Sequence, residues 1–438
     1  MIQTNEINKW YVSLFDEFER NLNGESKSPV HQIRKKAIED FSQLSFPTNK
    51  NEEWRFTNIA PLLKHKFKPA INTQQISREE VNRFRFKGMK CSFVVFENGF
   101  YNEELSDIRS VEDQITIKSL SAAIKENNPQ IQKHFNKYAD TSTQIFTALS
   151  TAYIMDGVFI HMPEGKVIDE PIHVLFLSSS KGDEILSHPR NLIITEKNSQ
   201  VLIIEHYAGT DNSIYFTNSV TEIFAGENSV VHHTKIQEES KSSFHIGRME
   251  TVQDRNSFFT SNMVSLGGAI SRNDFNTKFI GPGGESELNG LFLTDGSQLF
   301  DAHTLIDHAS PHCNSHELYK GILDDKSRGV FNGKVIVRKD AQKTNAFQEN
   351  NNIILSNEAL VNTKPQLEIF ADDVKCSHGA TVGQLDNEAL FYLKSRGIGE
   401  EKSRDILIHA FASDVVRRIK IDKIKEHIEN ILTEKFSS

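Results

Sequence analysis

Two stretches of the chain carry side chains able to bind soft or borderline metals. One is His303, His308, His312-Cys313 and His316; the other is Cys376-Ser377-His378. Thiolates and imidazoles suit iron, copper and zinc. The first group matches no common zinc spacing and crosses a turn, so a structural role is the stronger reading and a metal role stays open. In the second, a strand would place Cys376 and His378 two residues apart on one face. A thiol and an imidazole are too few for a closed four-ligand site; on spacing alone a structural role is the stronger reading, and half of a site shared with a second chain stays open. Enzyme signatures are thin. Gly281-Pro282-Gly283-Gly284 lacks the Lys of a phosphate loop, and Gly333-Lys334 is followed by Val335. No Gly-x-Ser-x-Gly elbow and no His-Glu-x-x-His pair occurs. The chain therefore reads as no enzyme, and any ATP hydrolysis falls to another subunit.

Positioning such a pair is the task of a long chain. Its 438 residues carry 50 Lys+Arg against 59 Asp+Glu, a formal charge of −9. That balance argues against a nucleic-acid or anionic-membrane partner, which would favour a basic surface. Three cysteines, Cys91, Cys313 and Cys376, are too few for a disulfide framework and fit a reducing compartment. The first twenty residues include Glu6, Lys9, Asp16, Glu17, Glu19 and Arg20 and hold no apolar export core. Apolar runs such as Ala389 to Leu393 are far shorter than the ~20 residues of a membrane span. The expected location is the cytoplasm.

Three regions follow from the periodicity. Residues 1–150 read as mainly helical: Trp10, Leu14, Phe15 and Phe18 recur at helical spacing, as do Ile33, Ala37, Ile38 and Phe41. Cys91 to Phe96, ending at Asn98-Gly99, reads as a strand and turn. Residues 151–385 lose the helical period. Ser199, Ser229, Ser257, Ser286 and Ser315 recur at intervals of 30, 28, 29 and 29, each opening a strand-like run, with Asn198, Asn228, Asn256 and Asn314 preceding four of them. A second strand follows half a period later, as at Val220–Phe224, Phe275–Phe279 and Val330–Val337. Two strands per coil without helices predict a parallel β-helix, a β-solenoid, in a mainly β chain flanked by helical domains. A sandwich of antiparallel hairpins would show no fixed repeat.

Residues 386–438 return to the helical period. Asp386 is an N-cap candidate, and Gly397 and Gly399 end the first helix. Ile406, Leu407, Ala410, Phe411 and Val415 form the apolar stripe of a second helix, and Ile424, Ile428, Ile431 and Leu432 that of a third. These helices are expected to cover the open end of the solenoid core or to offer a docking face. Within the solenoid, Val374, Cys376, His378 and Ala380 share a face that the alternation turns inward, which predicts a buried Cys376/His378 site.

The run from Pro365 to Phe411, with Asp372-Asp373-Val374-Lys375-Cys376-Ser377-His378-Gly379-Ala380-Thr381 at its centre, closely resembles the SufB/SufD family of the Suf iron–sulfur cluster assembly system, on its SufD side. Asn51-Glu52-Glu53-Trp54-Arg55-Phe56-Thr57, His312–Ser315, Tyr319–Gly321, Val330–Lys334 and Ala341–Thr344 carry the same resemblance. SufB sequences have a Cys-Asp-Ser-Leu-Leu-like segment where this chain reads Gln348-Glu349-Asn350-Asn351-Asn352-Ile353-Ile354, without Cys. The resemblance implies a right-handed parallel β-helix core and a non-catalytic scaffold subunit paired with SufB. It implies that His378, with Cys376 beside it, contributes to a transient iron–sulfur cluster and to iron acquisition at the shared interface. It implies docking of the SufC ATPase by the C-terminal helices, with Leu407, Phe411 and Val415 as the docking residues. A flavin in the complex and a homodimer are left open. The rivals are a carbohydrate-active β-helix enzyme, which the missing export signal and carboxylate cluster oppose, and a purely structural solenoid dimer.

Overall fold

The computed structural model describes residues 2–22, 28–70, 76–109, 115–180 and 184–436. Its centre is a β-solenoid of fifteen strands in chain order: β1 (Ile172–Ser178), β2 (Arg190–Thr195), β3 (Gln200–Gly209), β4 (Tyr215–Ala225), β5 (Val230–Glu238), β6 (Phe244–Gln253), β7 (Phe258–Ser265), β8 (Ile270–Phe279), β9 (Glu285–Thr294), β10 (Leu299–His308), β11 (Asn314–Leu323), β12 (Arg328–Val337), β13 (Asn345–Ile354), β14 (Leu360–Ile369) and β15 (Lys375–Gly383). Odd strands pair in parallel with odd and even with even, each one coil from its partner. The hairpin Ser92–Glu97/Phe100–Tyr101 extends the odd sheet, and Val158–Met162 with Thr116–Ser119 extends the even one. Strands on both sides of residue 150 thus belong to the same two sheets. Asn98 and Gly99, at φ 51° and 89°, close the hairpin expected there.

The coil repeat rests on its corners. Asn198, Asn228 and Asn256 adopt left-handed φ of 55°, 54° and 53°, which Asn tolerates better than most residues. Their amides form a ladder, Asn228 to Asn198 at 2.9 Å and Asn256 to Asn228 at 3.2 Å. Strand pairing corrects the phase read from sequence. After Ser199, Ser229 and Ser257 the same corner is occupied by Gly284, Cys313, Thr344 and Val374. Ser286 and Ser315 sit two residues further on, inside strands; a slip of two keeps a residue on the same face, so the repeat survived it. His312 at φ 61°, rather than Asn314, takes the left-handed position in its coil.

The interior is filled by one apolar column running from Val94 and Val174 through Phe259, Phe292, Phe300 and Phe331 to Ala346 and Ala371. Both outer faces are covered. Helices α1 (Ile2–Arg20), α2 (Pro29–Gln43) and α3 (Ile145–Ala152) pack with Phe216, Phe244, Ile246, Ile270 and Leu299 on the even sheet. After α4 (Asn387–Ser395), helices α5 (Glu400–Val416) and α6 (Asp422–Phe436) pack on Ile204, Ile236, Val264, Leu291, Leu318 and Ile322 of the odd sheet. The C-terminal helices therefore lie along the side of the solenoid and leave its end open, contrary to the expected end cap. The physical reason is the apolar outer face of the odd sheet, which these helices take out of water. Strands β14 and β15 end their sheets with no strand beyond them. Among the described residues no helix is long and apolar enough to cross a membrane.

Candidate functional site

Cys376 and His378 lie on β15, the last rung of the odd sheet. Cys376 is in register with Ala346, His378 with Gln348, and Ala380 with Asn350, all three of them buried on the interior side of β13. Val374 and Cys376 pack against the interior column. The pair thus belongs to the inward column. The expected burial does not follow, because among the described residues no strand pairs beyond this rung: His378 is exposed and Cys376 half-buried. The alternation gives direction, while burial depends on a next coil, which the described residues do not form. Desolvation raises the Cys376 thiol above its ordinary value, so thiolate chemistry there needs a cation or a positive neighbour.

The open end is apolar at its rim. Leu360, Ile369 and Phe370 of the even side and Phe347 and Val382 of the odd side are exposed. A sheet edge presents unpaired N–H and C=O groups, and two such edges sit here side by side. Among the described residues no three His, Cys, Asp or Glu side chains converge as a metal cage. Cys376 and His378 supply donors of the right class for iron, two of the four that a closed site needs.

The other histidine group is dispersed. His303 faces outward between Asp301 at 3.0 Å and Glu53 at 3.3 Å. Burial and Arg272 oppose its protonation, but the two carboxylates outweigh them and raise its pKa. His308 points inward, Nε2 2.9 Å from Ser315 Oγ, and burial lowers it to about 4. Cys313 is buried at a corner, its Sγ 3.5 Å from the Pro311 carbonyl oxygen. His316 stacks on Phe347 with ring centres 5.3 Å apart. These side chains serve corners and packing in different directions.

A strap at residues 49–57 crosses the outer face of the even sheet. Trp54 stacks on the Arg272 guanidinium at 3.7 Å, Glu53 accepts from Asn332, and Lys364 pairs with Glu52. Clefts of about 510 and 610 Å³ flank it; in the first, Arg248, Arg272 and Lys334 are paired to carboxylates.

The three expected docking residues differ in availability. Val415 is fully buried against the odd sheet. Phe411 is half-buried; its carbonyl accepts from Lys320 Nζ at 3.1 Å, and that ammonium lies 4.4 Å from its ring centre. Leu407 is half-buried. The buried stripe of α5 is Ile408, Ala412, Val415 and Val416 rather than the one read from sequence, and Ile406 is exposed. Exposed aromatic surface lies on α4, at Phe391 and Tyr392.

Residues missed in the sequence lie behind His378. Glu317 on β11 and Gln348 on β13 occupy the same inward column, and Gln348 Nε2 donates to Glu317 Oε2 at 2.5 Å. Burial, with no cation opposite, pushes the Glu317 carboxyl up to about 7. Further inside, Glu205, Lys235, Glu239 and His245 form a buried network, with His245 Nδ1 2.7 Å from Glu239 and Lys235 Nζ 2.6 Å from Asn273. Polar residues at alternate strand positions are the signal that could have located both.

Residues 176–411 match the family model described as "SUF system FeS cluster assembly, SufBD core domain", and residues 5–174 match "SufBD protein N-terminal region". The chain is 33% identical to an iron–sulfur cluster assembly SufBD family protein of Synechocystis, over 94% of this chain and 92% of that one. It is 27% identical to the iron–sulfur cluster assembly protein SufD of Escherichia coli, over 97% and 95% of the two chains. It is 25% identical to SufD of Bacillus subtilis, over 97% and 98%. With both halves matched and the solenoid continuous through them, the chain belongs to the SufBD family of the SUF iron–sulfur cluster assembly system.

Proposed function

We propose that this chain is a SufD-type, non-catalytic assembly subunit acting in the cytoplasm, and that its open solenoid end pairs with a SufB-type chain. One observation carries this reading: the inward-facing Cys376 and His378 lie on the last rung of the odd sheet, where the free edges of β14 and β15 stand side by side with an apolar rim. Edge strands of a second solenoid would pair with β14 and β15, cover Leu360, Ile369, Phe370 and Val382, and turn the exposed pair into part of an enclosed site. The cluster, as cargo, would draw a thiolate or imidazole from each chain, so relative movement of the two chains would open or close it.

A SufC-type ATPase would dock on the C-terminal helical layer. The surface offered is Phe391, Tyr392 and Ile406 with the half-buried Leu407 and Phe411; Val415 supports that surface from beneath. The test is co-expression with SufB-type and SufC-type chains, then anaerobic reconstitution read by visible absorbance. His378→Ala should lower cluster formation while the complex still assembles. Loss of the complex instead would make His378 a packing residue and remove its ligand role. Recovery of this chain as a homodimer, with no affinity for a SufB-type chain, would replace the pairing.

A further inference from the structure

The space behind His378 is built more specifically than a solenoid core requires. Glu317 and Gln348 are each about 3% exposed, and both face the interior from successive rungs of the column that ends at His378. Their contact uses Glu317 Oε2 and Gln348 Nε2, 2.5 Å apart. The single oxygen of the Gln348 amide, Oε1, is buried with no hydrogen bond among the described residues, as is Glu317 Oε1. An orphaned buried amide oxygen costs about 1–3 kcal/mol, so its persistence calls for a use.

Room for that amide comes from the opposite sheet. A Cβ placed on Gly333 of β12 would stand 2.3 Å from Gln348 Nε2 and 2.8 Å from its Cδ. Glycine is thus needed at 333 to let the amide lie across the interior. The NH₂ group is the end that donates to Glu317 Oε2, and the amide oxygen is left for another donor. Parallel rungs lie about 4.8 Å apart, which brings a side chain on the next rung of this column within hydrogen-bond reach. That side chain is His378.

We propose that Gln348, held by Glu317 and seated over Gly333, accepts a hydrogen bond from one ring nitrogen of His378 and so leaves the other free to bind ferrous iron. This rests on the reading of His378 as a ligand and assigns its orienting partners. A ligating imidazole commonly donates its second N–H to a fixed oxygen, which sets tautomer and ring direction, and loss of such a partner typically lowers metal affinity about 10–100-fold. Gln348 and Glu317 are positioning residues in this scheme and touch no iron.

The test uses the full-length chain in complex with its SufB-type partner, with Co²⁺ as an anaerobic probe for ferrous iron. Nitrogen-15 NMR on labelled histidine, assigned by difference from His378→Ala, reads the His378 tautomer. The wild type should show one tautomer. Gln348→Leu removes the acceptor; Gly333→Ala keeps every polar group and takes the amide's space, its Cβ also standing 2.6 Å from the Phe331 ring. Both should give mixed tautomers and bind Co²⁺ about 10–100-fold more weakly, with thermal melts confirming that the variants fold. An unchanged tautomer and affinity in both variants, with binding still abolished by His378→Ala, would overturn the positioning role and leave the ligand role intact. Unchanged Co²⁺ binding in His378→Ala would overturn the ligand role and this inference together.

Discussion

At the scale of single residues, burial and pairing decide what each ionisable group does. Glu317 has no cation opposite it, and its carboxyl sits at about 7 instead of 4.5. The folded chain then holds a proton that the unfolded chain has lost between those values. Stability falls as pH rises through that window. Relative to Glu317→Gln, the wild type should lose up to about 3 kcal/mol between pH 4.5 and 8, read from urea midpoints at each pH. Parallel curves for the two proteins would show that Glu317 is ionised throughout. Arg190 and Glu222 give the opposite case, a fully buried pair at 2.8 Å whose carboxylate also accepts the backbone N–H groups of Asn136, Tyr138 and Ala139. Glu222→Ala should cost about 3–5 kcal/mol because it strands a buried guanidinium. A melting temperature within a degree or two of wild type would contradict that. Neither role was legible in the sequence, since a Glu in a strand looks alike whether a cation or an amide faces it. The shared face of Cys376 and His378 was legible because a spacing of two puts two side chains on one side of a strand.

At the scale of elements, the strands could be read and the surfaces between elements could not. Alternation with a repeat near 29 residues located the runs that became β3, β5, β7, β9 and β11, since the corners demand Asn, Gly or Ser at fixed intervals. The helices of the C-terminal region were also legible, and Asp386 caps α4 by accepting from the Glu388 and Ala389 N–H groups. Which face of α5 is buried was not, because α5 packs on a sheet whose outward residues come from five coils. The consequence separates two substitutions. Val415→Asp buries a charge against the odd sheet and should destabilise the helical layer by several kcal/mol, seen as an early transition in circular dichroism. Phe391→Asp changes an exposed side chain; it should leave the melt within about 0.5 kcal/mol of wild type and weaken ATPase binding. Equal melts for the two variants would mean that α5 does not depend on Val415.

For the whole molecule, the decisive feature is asymmetry between sides and end. Two sheets are closed on their outer faces by helices from opposite ends of the chain, and the interior is filled along its length, yet the last coil is left bare. Periodicity shows that coils stack; it does not show where stacking stops or what comes next, and the exposure of Cys376 and His378 follows from that stop. The central claim is that the missing next coil is supplied by another solenoid. Hydrogen exchange on the isolated chain and on its complex with a SufB-type chain tests this most directly. The account predicts that amides of Leu360–Ile369 and Lys375–Gly383 become strongly protected in the complex, while those of α3 keep their rates. Unchanged exchange along both edge strands, with new protection appearing elsewhere, would contradict it.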